Sequence, residues 1–268
     1  ADSPRLPVDA DGVIKLDTLE AALSTSGGQV SVMLANNETG VIQPIDDVVA
    51  IANDAGAIVH TDAVQAAGRI AVDIAALGAA TASLSAHKLG GPQGVGALVL
   101  GSDMQIASQI KGGGQERGRR AGTENTAGIA GFGVAARLAH EDLVRMQGVA
   151  MLRDGMESSL AEALPDVVVF GDRVARLPNT SCFAVPGLRS ETQIMALDLA
   201  GLAVSAGSAC SSGKVTPSHV LQAMDVPEAL AACAIRVSLG PDNTKEDVAR
   251  LVTALLDLSE RTGRRPAA

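Results

Sequence analysis

The sequence contains no tryptophan and no tyrosine, and only three phenylalanines. Its apolar content of 47% is supplied mainly by Ala, Val, Leu and Ile, and 29 glycines allow backbones to approach closely. Cysteine is nearly as scarce. Cys182, Cys210 and Cys233 are too few and too scattered for a disulfide framework, and none forms a CxxC pair. A reducing cytoplasm fits that usage, and there a lone Cys in a glycine–serine loop is a candidate nucleophile. Positive charge is also short. Twenty-one Lys and Arg against 30 Asp and Glu leave a net charge of −9, which excludes a basic nucleic-acid-binding surface. Arg261, Arg264 and Arg265 read as a solvated end. No apolar run approaches the roughly 20 residues of a membrane span. The opening ADSPRLPVDADG is polar and acidic, unlike a signal peptide.

What remains is enough for a globular protein. A chain of 268 residues accommodates one large domain or two modest ones. Short apolar runs alternate with amphipathic stretches. Strands are expected over Gln29–Ala35, Ala57–Thr61, Thr81–Ala86 and Val95–Leu100, and a helix over Ile45–Ala55, between Pro44 and Gly56. Strand, helix, strand in this order predicts α/β architecture with a mainly parallel sheet. The texture then changes. Residues 124–164 read as mostly helical. Short strands at Val167–Phe170, Ser181–Val185 and Ala234–Ser238 follow, interleaved with helices. Ser190-x-x-Gln193 reads as a capping box opening one helix, and Thr244-x-x-Asp247 starts the last one, ending near Thr262. The expected division is a large domain over 1–142 and a smaller α+β domain over 143–268.

Chemistry concentrates in a few segments. In Ser85-Ala86-His87-Lys88 a strand ends before a glycine-rich turn. A lysine there can face the crevice at the carboxyl ends of the strands, where open α/β sheets bind ligands. Alone, Lys88 reads as one of many surface lysines. Asp62, after the strand AIVHT and three residues before Gln65, reads alone as a cap for the following turn. Together they offer an amine for a Schiff base and a carboxylate for a protonated ring nitrogen, the two groups a pyridoxal-phosphate site needs. Cys210 lies among small residues in SAGSACSSG, whereas Cys182 in SCFAV and Cys233 in ALAACAI read as buried core cysteines. Gly91-x-x-Gly94-x-Gly96 alone does not indicate a dinucleotide site. His60, His140 and His219 read as a polar group at a strand end, a solvent-facing helix residue, and a packing or capping residue.

The segments Ala35-NNETGVIQPI, His60-TDAVQAAGRIAVD, Ser83-LSAHKLGGPQGVGAL, Gly112-GGQERGRRAGTEN, Ser205-AGSACSSG and Arg236-VSLG occur in one order along nearly the whole chain. In that order and spacing the sequence resembles the cysteine desulfurases of the NifS/IscS type. The resemblance implies the aspartate-aminotransferase-like fold type I, with a partial large domain and a small C-terminal domain carrying the Cys loop. It implies pyridoxal 5'-phosphate as cofactor and L-cysteine as substrate. Lys88 would hold the cofactor, Asp62 would pair with its ring nitrogen, and Gln65 would meet its phenolic oxygen. Ser85 and His87 would bind its phosphate, and Thr123 would reach the phosphate of a neighbouring subunit's cofactor, so a homodimer is implied. Asn37 would contact cofactor and substrate, and Arg236 would clamp the substrate carboxylate. Cys210 would take the sulfur as a persulfide and pass it to an acceptor such as an iron–sulfur scaffold protein. Complete members carry an N-terminal segment with a phosphate loop and a ring-stacking histidine, and no match to either precedes Asn37. The alternatives are a selenocysteine lyase or aminotransferase of the same fold, or a non-catalytic truncated protein.

Overall fold

A computed structural model describes residues 4–24, 28–102, 104–206 and 218–263. The chain divides into two units. One comprises Leu16–Leu34 and Pro44–Leu143; the other comprises Ala1–Lys15, Ala35–Gln43 and Val144–Ala268.

The first unit contains α1 (Leu16–Leu23), β1 (Gln29–Met33), α2 (Ile45–Asp54), β2 (Ile58–Asp62), β3 (Thr81–Ser85), β4 (Gly96–Leu100) and α3 (Thr126–Glu141). Its strands lie in the order β1-β2-β3-β4, with β1, β2 and β3 parallel and β4 antiparallel at the edge. Parallel neighbours need a crossover, and α2 supplies it between β1 and β2. Ile45, Val48, Val49 and Ala52 line the buried stripe of α2, and Asp46 and Asp47 complement the helix dipole in its first turn. Val30 and Val32 of β1 and Val59 and Thr61 of β2 alternate inward, burying one face of the sheet.

The second unit contains α4 (Met146–Ala163), β5 (Val168–Val169), β6 (Thr180–Ala184), α5 (Ser190–Leu199), β7 (Ser205–Ala206), α6 (His219–Ala223), α7 (Glu228–Ala231), β8 (Ala234–Ser238) and α8 (Lys245–Arg261). Its sheet runs β5-β6-β8-β7 with every neighbouring pair antiparallel. Met156 and Leu160 of α4, Phe183 of β6, Leu197 of α5, Ile235 of β8 and Leu255 of α8 are all fully buried in one core. Each contributes about 1.5–3 kcal/mol relative to an exposed side chain. Thr244 and Asp247 form both halves of a capping box at the start of α8, as the sequence indicates.

The second expected box does not form. Arg189, not Ser190, occupies the N-cap of α5 and makes no side-chain cap bond. Gln193 is fully buried instead, and its Nε2 donates to the carbonyls of Leu188 (2.7 Å) and Cys233 (2.8 Å). Tertiary demand for a buried donor outweighs the local capping pattern. Residues 124–164 are mostly helical, as expected: α3 ends at Glu141, and a short 3-10 helix over Asp142–Arg145 precedes α4. Among the described residues no helix is long and apolar enough to cross a membrane.

Candidate active site

In the parallel-sheet unit, β2 and β3 run side by side with Asp62 opposite Ser83. Both strands therefore deliver their following residues to the same edge of the sheet. Asp62 ends β2 and is exposed, its Oδ1 accepting from the amide of Val64 at 2.9 Å. That bond occupies one oxygen in a local turn and leaves the carboxylate able to face a ligand. Beyond β3, a 3-10 helix over Ala86–Leu89 carries His87 and Lys88 and is closed by left-handed Gly90. Ser85 Oγ and His87 Nδ1 lie 2.8 Å apart in a hydrogen bond, and Lys88 is half-buried.

Two features hold these strand ends together. Arg69 donates to the carbonyl of Gln65 (3.1 Å) and to that of Lys88 (3.4 Å), joining the segment after β2 to the segment after β3. Gly68 has φ +73, and a Cβ there would sit 2.9 Å from both Leu89 Cδ2 and Ala139 Cβ. Only glycine allows this approach of the turn to α3 and to the lysine-bearing helix. Thr123 is exposed on the loop before α3, between left-handed Gly122 and the cap residue Asn125, which accepts from the amide of Gly128. The same loop holds Glu116 and Arg117 at φ 50 and 56, an uncommon pair of non-glycine left-handed residues. A carboxylate, a primary amine and a hydroxyl–imidazole pair at one sheet edge suit a ligand with a basic ring nitrogen, a carbonyl and a phosphate.

Asn37 and Arg236 belong to the other unit. Asn37 is exposed on a tight turn in which Asn36 Oδ1 accepts from the amides of Glu38 (2.8 Å) and Thr39 (3.0 Å). Gly40, at φ +76, completes the turn, and a Cβ there would meet Thr180 Cβ at 2.9 Å. Arg236, on β8, donates through Nη1 to the Asn37 carbonyl (2.8 Å) and through Nη2 to Ser205 Oγ (3.2 Å). Its Nε is buried and has no hydrogen-bond partner among the described residues. The guanidinium is thus held in place with donor capacity left for an anion.

Two further residues join this cluster that the sequence did not single out. Glu38, 4% exposed, accepts through Oε2 from Ser218 Oγ at 2.5 Å. Burial pushes the Glu38 carboxyl above the ordinary carboxylate range, against the Ser218 bond and the positive charges of His219 and Arg236. Ser218, not His219, caps α6. The only signal for Glu38 was its place within the NNETG segment.

Cys182 and Cys233 are buried free thiols, as expected of core cysteines. Burial, with a smaller contribution from Glu38, pushes the Cys182 thiol up to about 12, so it is inert. Cys210 lies outside the described residues. His60 bonds Thr81 Oγ1 at 2.8 Å through Nδ1 and has Ser83 Oγ at 3.4 Å from Nε2, consistent with a polar group within the sheet. His140 is exposed.

The aminotransferase class-V family model matches residues 3–251. A cysteine desulfurase of Cereibacter sphaeroides is 46% identical over 252 residues, covering 94% of this chain and 64% of the relative. The cysteine desulfurase NifS of Azotobacter vinelandii is 42% identical over 253 residues, covering 92% and 62%. The chain therefore spans a little under two thirds of the length of these curated relatives. Among solved structures, a NifS-like protein from Rickettsia africae superposes with a TM-score of 0.87 at 37% identity, covering 95% of this chain and 69% of that one. Order of segments, sheet topology and similarity along almost its whole length agree: this chain belongs to the class-V aminotransferase family, among its NifS-like members.

Proposed function

We propose that this chain carries the residues with which a pyridoxal-phosphate-dependent cysteine desulfurase moves sulfur from L-cysteine onto Cys210, leaving L-alanine. The observation that supports this reading is the row of Asp62, Ser85, His87 and Lys88 at the carboxyl ends of β2 and β3. In it, Asp62 would keep a proton on the cofactor's ring nitrogen and Gln65 would meet the phenolic oxygen. Ser85 and His87 would hold the phosphate, and Lys88 would be the residue that holds the cofactor through its amine. Thr123 serves the phosphate of a neighbouring subunit, which makes the working form a homodimer. Bound pyridoxal phosphate supplies the electron sink that acidifies the substrate's α-carbon.

The remaining chemistry falls to this chain's own side chains. Asn37 and Arg236 orient the substrate, Arg236 through its carboxylate, which matches the planar fork of a guanidinium. Lys88 Nζ takes and returns the proton at the α-carbon. The Cys210 thiolate attacks the substrate sulfur. A sulfur–sulfur bond forms as the carbon–sulfur bond breaks, and the carbon keeps the electron pair and gains a proton. L-Cysteine plus the Cys210 thiol thus becomes L-alanine plus a Cys210 persulfide, with no outside oxidant or reductant. The persulfide sulfur then passes to an acceptor such as an iron–sulfur scaffold protein in the cytoplasm.

The test is a titration of the purified chain with pyridoxal phosphate, followed by L-cysteine. The wild type gains the visible band of lysine-bound cofactor, and mass spectrometry finds one extra sulfur on the Cys210 peptide. Lys88→Ala lacks the band. Cys210→Ser keeps the band and gains no sulfur. An undiminished band in Lys88→Ala, or full alanine and sulfide formation by Cys210→Ser, overturns the assignment.

A further inference from the structure

Within the parallel-sheet unit, Lys88 lies in a four-residue 3-10 helix, too short to supply its last carbonyls with helical donors. Two amides further along could have served the Lys88 carbonyl. Gly91 donates instead to the Ala86 carbonyl at 2.9 Å, and Pro92 has no N–H. A side chain takes the role: Arg69 Nη2 donates to the Lys88 carbonyl at 3.4 Å. The other arm of the same guanidinium, Nη1, donates to the Gln65 carbonyl at 3.1 Å. Arg69 is half-buried, and its own amide is fixed to the Ala66 carbonyl at 3.0 Å. One planar fork therefore binds the backbones of both Gln65 and Lys88.

We propose that Arg69 is a positioning residue: its guanidinium fixes the spacing between Gln65 and Lys88 and so directs the Lys88 amine at the cofactor. The inference rests on the reading of Lys88 as the residue that holds the cofactor. A flexible four-carbon stem separates the Lys88 amine from its backbone, so the amine is aimed only as well as that backbone is placed. The rigid fork of Arg69 spans two carbonyls at once. A lysine at position 69 would offer a point donor with no fixed geometry and could not hold the same spacing. Gly68 supports the arrangement by packing, but against Leu89 and Ala139 rather than against Lys88 itself. The hydrogen bonds that reach the backbones of Gln65 and Lys88 together are those of Arg69.

The chain's lysines are Lys15, Lys88, Lys111, Lys214 and Lys245, and limiting pyridoxal phosphate distributes among them. Borohydride traps the adducts, and mass spectrometry reads the amount on each lysine for the full chain as wild type, Arg69→Met and Arg69→Lys. Lys245, the first residue of α8 in the antiparallel-sheet unit, is the internal reference. Met retains most of the stem of Arg69 and removes both bonds. The wild type is labelled mainly at Lys88. Arg69→Met lowers the Lys88-to-Lys245 ratio on the order of tenfold, within the roughly hundredfold that a misplacement of about 1 Å can cost. A merely structural role for Arg69 predicts a lower urea midpoint with the ratio in native buffer unchanged. If the wild type labels Lys88 no more than Lys245, the cofactor reading of Lys88 fails and the Arg69 proposal falls with it. If the wild type prefers Lys88 and Arg69→Met keeps that ratio, only the Arg69 proposal is overturned. Arg69→Lys falls between the two, and a full wild-type ratio in it overturns the proposal even where Arg69→Met has lost the far-UV circular dichroism of the folded chain.

Discussion

The pair Arg176–Glu157 gives a sharp test of what holds the antiparallel-sheet unit together. Both guanidinium Nη atoms donate to the two carboxylate oxygens at 2.7 Å, and the side chains are only 6% and 14% exposed. Burial works against the charge on Arg176, but Glu157 at bonding distance, helped by Asp154 and Asp172, more than offsets it. The backbone of the same segment binds the 35–43 stretch, since Ile42 donates to the Ala175 carbonyl and Leu177 to that of Gly40. Glu157→Ala strands a buried cation and removes two charge-assisted bonds worth about 1.5–3 kcal/mol each. The expected loss is about 3–5 kcal/mol. Replacing both partners by apolar residues of similar volume, Arg176→Met with Glu157→Leu, should come close to the wild type or exceed it. With no Trp or Tyr, fluorescence is a poor probe. Cys182 is a better one: it sits in β6 of the same unit, fully buried and with a thiol pushed up to about 12. Its alkylation across a urea series, read by mass spectrometry, reports the unfolding of this unit. A loss below about 1 kcal/mol in Glu157→Ala would put the pair with exposed ion pairs and refute the reasoning.

Other outcomes follow from the same geometry. Gly68→Val forces carbon atoms into Leu89 and Ala139 on a left-handed backbone, costing about 1–3 kcal/mol and displacing the Lys88 helix; a weakened pyridoxal-phosphate titration measures it. Thr244→Ala removes half of the capping box of α8 and should cost about 1 kcal/mol by urea denaturation. Glu38 has a carboxyl raised by burial, so its protonated form stabilises the fold. That contribution is complete below the ordinary carboxylate range and is lost as pH rises through the raised value. The stability of Glu38→Gln relative to wild type should therefore grow across that interval and then level off; a difference that stays flat over the interval contradicts the burial of this charge.

How much of this was legible in the sequence depended on whether the signal was local. The alternation of Val30 with Val32, the stripe on α2 and the box at Thr244 are set by neighbours two to four residues apart, and each appears where its pattern lies. Lys88 and Asp62 could be paired because two successive parallel strands end there, a relation carried by element order. Gln193 shows the limit. Its spacing from Ser190 matches a capping box, yet it serves the carbonyl of Cys233, 40 positions away, a demand that no local pattern encodes. Glu38 is the same case with chemical consequences. A carboxylate in an exposed-looking NNETG turn reads as solvated, and only its contact with Ser218, 180 positions downstream, makes it buried. The assignment of residues 35–43 to the unit formed mainly by the C-terminal half has the same origin, because their bonds run to Ala175, Leu177 and Arg236. A strand-to-helix connection whose bonds run to a distant part of the sequence cannot be recognised from its own composition. Asn37, whose carbonyl accepts from Arg236, thus comes from a segment nearly 200 positions earlier in the chain, and contacts of that range are the ones that local sequence pattern leaves unmarked.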